Sequence, residues 1–106
     1  MTDGQGFRLH PGAVNDITEI WQFIAEDSLL AAARFREDIL EAIRKLVTFP
    51  YQGHKRSDLT SRLLRFQTIR DFLIAYAPED KPLTVIAVIH GRRNPRIVAA
   101  ILRKRE

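Results

Sequence analysis

The sequence predicts an α+β domain: an N-terminal strand, an antiparallel helical hairpin packed on a small antiparallel sheet in the order β-α-α-β-β-β, and a short C-terminal helix. Three observations predict it. Between Ala13 and Leu46 apolar residues recur twice at helical spacing, interrupted only by the polar break Glu26-Asp27-Ser28. From Leu63 onward the period drops towards two, and apolar runs alternate with turn residues. With 106 residues and 12.2 kDa, the chain suits one such domain, 1–106, with residues 1–6 as a disordered tail.

Phe7-Arg8-Leu9-His10 opens as a brief strand with Phe7 and Leu9 on one face. Pro11 suits the first turn of a helix, where its missing N–H costs nothing. Ala13, Ile17, Ile20, Trp21 and Ile24 then form one apolar stripe, which places Trp21 in the core. Ser28 can cap the second helix, whose stripe runs from Ala32 and Phe35 to Ile43 and Leu46. Glu41 and Lys45 make an i,i+4 pair on it. Phe49-Pro50 ends that helix, because a residue before proline is pushed out of the α region. Tyr51 to Ser61 is a polar loop.

Leu63 to Ile69 alternates, with Leu64, Phe66 and Thr68 on one face and Arg65 and Gln67 on the other. Arg70-Asp71 is a turn, and Phe72 to Tyr76 is the next strand. Leu83 to Ile89 is almost wholly apolar and β-branched, as a strand covered on both faces must be. Asn94-Pro95 then opens a short helix over 96–103.

Composition narrows the function classes. Cysteine is absent, which removes disulfides, thiolate nucleophiles and thiolate-bound metals. No run approaches a membrane span and the N-terminus lacks the blocks of a signal peptide, so a soluble, cytoplasmic protein is expected. The net charge is +4, unevenly spread. Residues 1–53 hold five basic and eight acidic side chains, whereas residues 54–106 hold twelve basic, nine of them arginine, and five acidic. Guanidinium forks suit phosphate or carboxylate, so the second half should seek a polyanion or an acidic protein segment.

Few residues carry chemistry. His10, His54 and His90 lie far apart, which gives no support to a metal site. No phosphate loop, nucleophile elbow or carboxylate pair is present, and no cofactor is implied. His90 ends the apolar run beside Gly91-Arg92-Arg93. With Arg65 and Arg92 it could supply acid–base chemistry and charge stabilisation for RNA cleavage. The alternative, which is favoured, is that His90 hydrogen-bonds the strand-to-helix turn while Gly91 takes a positive φ. Arg62 and Arg65 point to opposite faces.

Taken in order, Phe7-Arg8-Leu9-His10-Pro11, Asp16-Ile17, Ile20-Trp21-Gln22-Phe23-Ile24-Ala25, Pro50-Tyr51-Gln52-Gly53, Leu64-Arg65, Phe72-Leu73-Ile74-Ala75-Tyr76 and Val88-Ile89-His90-Gly91-Arg92-Arg93 resemble the RelE/ParE superfamily of bacterial type II toxin–antitoxin toxins, on the ParE-like branch. The resemblance implies a plasmid-stabilisation-type toxin neutralised by a cognate antitoxin. ParE-like members poison DNA gyrase by binding, without catalysis of their own. RelE-like members cleave mRNA on the ribosome, and Arg65 and His90 fall where some of those nucleases carry functional residues. The dense basic set and C-terminal tyrosine of the typical RelE nuclease are missing here. The expected picture is therefore a groove lined by Arg65, Arg92, Arg93 and Arg96 that holds an acidic C-terminal antitoxin segment, with gyrase as target and no enzymatic activity. The alternative is a ribosome-dependent mRNA endoribonuclease using His90, Arg65 and Arg92.

Overall fold

Each predicted element has its counterpart in the computed structural model, which describes residues 6–105. They are β1 (Phe7–Leu9), α1 (Pro11–Ala25), α2 (Leu29–Thr48), β2 (Arg65–Ile69), β3 (Phe72–Ala77), β4 (Leu83–His90) and α3 (Pro95–Lys104). Of the expected tail, residues 1–5 lie outside the described residues. Gly6 is described, with φ 84°.

Local chemistry places the helix ends. His10 caps α1, its Nδ1 accepting from the Gly12 N–H at 2.9 Å. Ser28 Oγ accepts from Ala31 N–H at 3.0 Å, and Asn94 Oδ1 accepts from Arg96 N–H at 2.8 Å. Pro11 and Pro95 sit just inside their helices, where no N–H partner is needed.

The sheet order is β1-β4-β3-β2. β2, β3 and β4 form the expected antiparallel meander, while β1 adds a parallel edge on β4, with Phe7 opposite Leu83 and Leu9 opposite Val85. The sheet is therefore mixed. A three-residue strand carries no pattern that names its partner; burial of Phe7 under the helical hairpin settles it.

The hairpin of α1 and α2 covers one face through Ile17, Phe35, Ile39 and Leu46 packed on Ile74, Tyr76 and Val85. The other face is covered by α3, whose Val98 and Leu102 pack on Ala75, Ile86 and Ile89, with Leu59, Leu64 and Phe66 beside them. β4 is buried on both sides from Leu83 to Ile89, which explains its uninterrupted apolar run. A bulge at Ala75/Tyr76 sets Tyr76 opposite Val85 and leaves Ile86 as the extra residue.

Trp21 packs against the core as its stripe position predicts, but it is only half-buried. It flanks the hairpin beside Ile17, Thr18 and Arg36, along a cavity of about 350 Å³. Gly91 does not take the expected positive φ; among the described non-glycine residues it is Arg70 that does, at φ 53°, in the two-residue turn joining β2 to β3. Gly91 serves close approach instead, since a Cβ there would lie 3.3 Å from the Asp71 carbonyl.

Among the described residues, no helix is long and apolar enough to cross a membrane.

Candidate functional site

Five arginines of the basic half have their charge committed within the fold, Arg56 by a neighbour in its own loop and four by tertiary partners. Arg56 forks onto both oxygens of Asp58 at 2.9 and 2.8 Å. Arg62 reaches the end of α3, donating to the Leu102 carbonyl at 3.0 Å. Arg70 pairs with Asp38 on α2. Arg105 grips Asp16 of α1 bidentately, at 2.6 and 3.0 Å, and donates to the Ile86 carbonyl at 3.1 Å. The fifth is Arg65.

Arg65 leaves β2 on the hairpin side and donates to the carbonyls of Gly53, at 2.7 Å, and Tyr51, at 3.3 Å. Its guanidinium also lies 5.2 Å from the Tyr51 ring centroid. Beneath it, the buried Tyr76 hydroxyl accepts from Gly53 N–H at 2.9 Å and donates to the Pro50 carbonyl at 2.8 Å. Burial pushes the phenol upward in pKa, partly offset by the Gly53 N–H and by Arg65. Gly53 has no room for a side chain, since a Cβ would fall 2.6 Å from that hydroxyl. Arg65 is thus part of a clamp holding the loop 50–53 to the sheet.

Arg65 and His90 are not brought together. Arg65 stands opposite Tyr76 and His90 opposite Phe72, four positions apart on β3 and two strands across. Strand spacings put them about 16 Å apart.

His90 is exposed at the end of β4, edge-on to Phe72 at 5.6 Å, with Nδ1 accepting from Arg92 N–H at 3.2 Å. It hydrogen-bonds the turn, as the favoured sequence reading expects. The structure does join His90 with Arg92, in a cleft of about 240 Å³ that Arg56, Arg70 and Asp71 also line. Arg56 and Arg70 were visible in the sequence as loop and turn residues, but nothing local revealed that they converge here.

Arg92, Arg93 and Arg96 are different. All three are exposed, and no side-chain partner holds them among the described residues. They flank the N-terminal end of α3, whose first turn contains no acidic residue and which contributes its own partial positive charge. Ile97, also exposed, adds apolar surface beside them. This arginine shelf, without Arg65, is what remains of the expected groove. Its chemistry suits carboxylates presented by an extended or helical partner segment.

His10 behaves as a structural residue. Burial, followed by the nearby Arg105 and Arg62, lowers its pKa and keeps Nδ1 free to accept the cap bond. Among the described residues, no group of three or more His, Asp or Glu side chains gathers as metal ligands would.

The family model for the ParE toxin of the type II toxin-antitoxin system parDE matches residues 7–95, from the first residue of β1 to the first of α3. No curated protein matches the chain.

Proposed function

We propose, from the premise that this chain belongs to the ParE toxin family of type II toxin–antitoxin systems, that it arrests growth in the cytoplasm by binding DNA gyrase. A cognate antitoxin holds it silent. The antitoxin's acidic C-terminal segment lies along the shelf of Arg92, Arg93 and Arg96 and pairs its carboxylates with guanidinium groups that have no side-chain partner among the described residues. That lack of internal partners is the observation carrying the proposal, because an arginine already paired has little to gain from a second carboxylate.

Action by binding, not by RNA cleavage, is supported by the placement of the candidate catalytic groups. Arg65 is spent on a loop clamp at the far end of the sheet from His90. His90 Nδ1 is occupied by the Arg92 N–H, and two of the three guanidiniums in its cleft are already paired with carboxylates. A hydrolytic site needs a base, an acid and free cations converging on one phosphate.

The deciding experiment runs the purified protein in a gyrase supercoiling assay and in a translation mixture with mRNA mapping. Loss of supercoiling with intact mRNA is expected. Cleavage of ribosome-bound mRNA, abolished by His90→Ala, would replace this proposal with the endoribonuclease. Arg93→Glu/Arg96→Glu should weaken the antitoxin complex by about tenfold or more. An unchanged affinity would remove the shelf from the account.

A further inference from the structure

The turn of the helical hairpin carries apolar surface that the fold does not use. Phe23 on α1 is 73% exposed, and Leu29 and Leu30 at the start of α2 are 69% and 62% exposed. Beside them opens a cavity of about 500 Å³ between α1, α2 and the β2–β3 turn. Ile20, Phe23, Phe35 and Phe72 give it apolar walls. Such a volume is typical of binding pockets, and contiguous exposed apolar surface marks association sites.

Charge decides which occupant fits. Glu19 and Asp71 line the cavity, and Glu26 and Asp27 form the adjoining turn between the helices; all four are exposed. Arg70, in the same wall, is already paired with Asp38. The hairpin tip is therefore negative where the arginine shelf is positive. A segment acidic enough for the shelf would be repelled at the tip, whereas an apolar side chain flanked by lysine or arginine would be attracted. The two surfaces meet at His90, which lines both clefts.

We propose that the hairpin tip is the docking surface for the poisoned target, engaged through an amphipathic segment of that protein with large apolar side chains and basic neighbours. An antitoxin on the shelf blocks the approach to it at His90. This rests on the toxin assignment above but not on which target is poisoned.

Phe23→Ser/Leu30→Ser alters two exposed positions, and Glu19→Lys reverses a rim charge without touching the apolar walls. Unfolding midpoints verify that each variant folds. Both should raise the inducer level needed for growth arrest by about tenfold or more, and leave affinity for the antitoxin, measured by calorimetry, within about threefold. Purified gyrase serves as the target probe, and its inhibition should fall in parallel. If the native protein leaves gyrase untouched while the variants still lose growth arrest, the gyrase assignment fails and the tip proposal stands. Growth arrest retained by both variants overturns the proposal. So does a matching loss of antitoxin affinity, which would assign the tip to the antitoxin. A native dimer in sedimentation that Phe23→Ser/Leu30→Ser dissociates would also overturn it, by assigning the tip to a second copy.

Discussion

Replacing Arg105 by alanine should destabilise the domain by about 2–3 kcal/mol, although the residue lies just past the last helix. Its guanidinium makes three hydrogen bonds that join α1, β4 and the end of α3: two to Asp16 and one to the Ile86 carbonyl. Asp16 also accepts the Val88 N–H at 3.0 Å, beside the β4 bulge. Both charged side chains are 16% exposed, close to the dry limit but not at it. A solvated pair contributes about 0–1 kcal/mol, and breaking a fully buried one costs about 3–5. Limited water access to the orphaned Asp16 places the loss between those values. For a domain of total stability about 5–15 kcal/mol this is a large share. With a urea m-value of about 1.5 kcal/mol/M, the unfolding midpoint should fall by about 1.3–2 M. Asp16→Asn keeps an acceptor for Val88 and should cost less. A double-mutant cycle with Arg105→Gln should return a coupling of about 1.5 kcal/mol or more. A midpoint shift below about 0.3 M for Arg105→Ala, or strict additivity in the cycle, would refute the claim that this pair locks the C-terminal helix to the hairpin.

Three further outcomes are expected. The folded pKa of His10 lies below its ordinary 6.5, chiefly through burial and then Arg105. The unfolded chain therefore takes up the proton first on acidification. The stabilisation is fully present above about 6.5 and is lost as pH falls through the lower folded value. Urea midpoints at pH 7.5 and 5 should show this loss, and His10→Asn, which keeps a cap acceptor, should reduce it; an unchanged pH dependence would disprove it. Tyr76→Phe strips the buried Gly53 N–H and Pro50 carbonyl of their shared partner. It should cost about 2 kcal/mol in denaturant unfolding and speed amide exchange at Gly53; neutrality would mean the loop is held by Arg65 alone. Arg70→Gly relieves a left-handed residue, worth about 1 kcal/mol, but removes the ion pair to the half-buried Asp38. The net change should stay within about 1 kcal/mol, whereas Arg70→Ala, which keeps the strain and loses the pair, should be clearly destabilising in the same assay.

The order of elements was legible in the sequence because its causes are local. Hydrophobic period, caps at Ser28 and Asn94, and prolines at 11 and 95 act within a turn or two of chain. The uninterrupted apolar run of β4 even announced burial on both faces. The hairpin-tip patch also left a trace, since Phe23 sits off the apolar stripe of α1 and Leu29 and Leu30 precede that of α2, but the periodic residues alone did not single it out.

The state of each arginine was not legible, and the site depends on it. Arg65, Arg92, Arg93 and Arg96 look alike in a basic half-chain, yet one is clamped to a loop twelve residues away in sequence and the other three have no side-chain partner among the described residues. Arg105, unremarkable in sequence, is tied to an acid eighty-nine residues distant. Sequence determined which segments coil, which extend and where each stops. Only the tertiary structure decided which charges remain for a partner, because an ion pair needs two groups within a few ångströms of each other, and the fold, not the spacing along the chain, sets that distance.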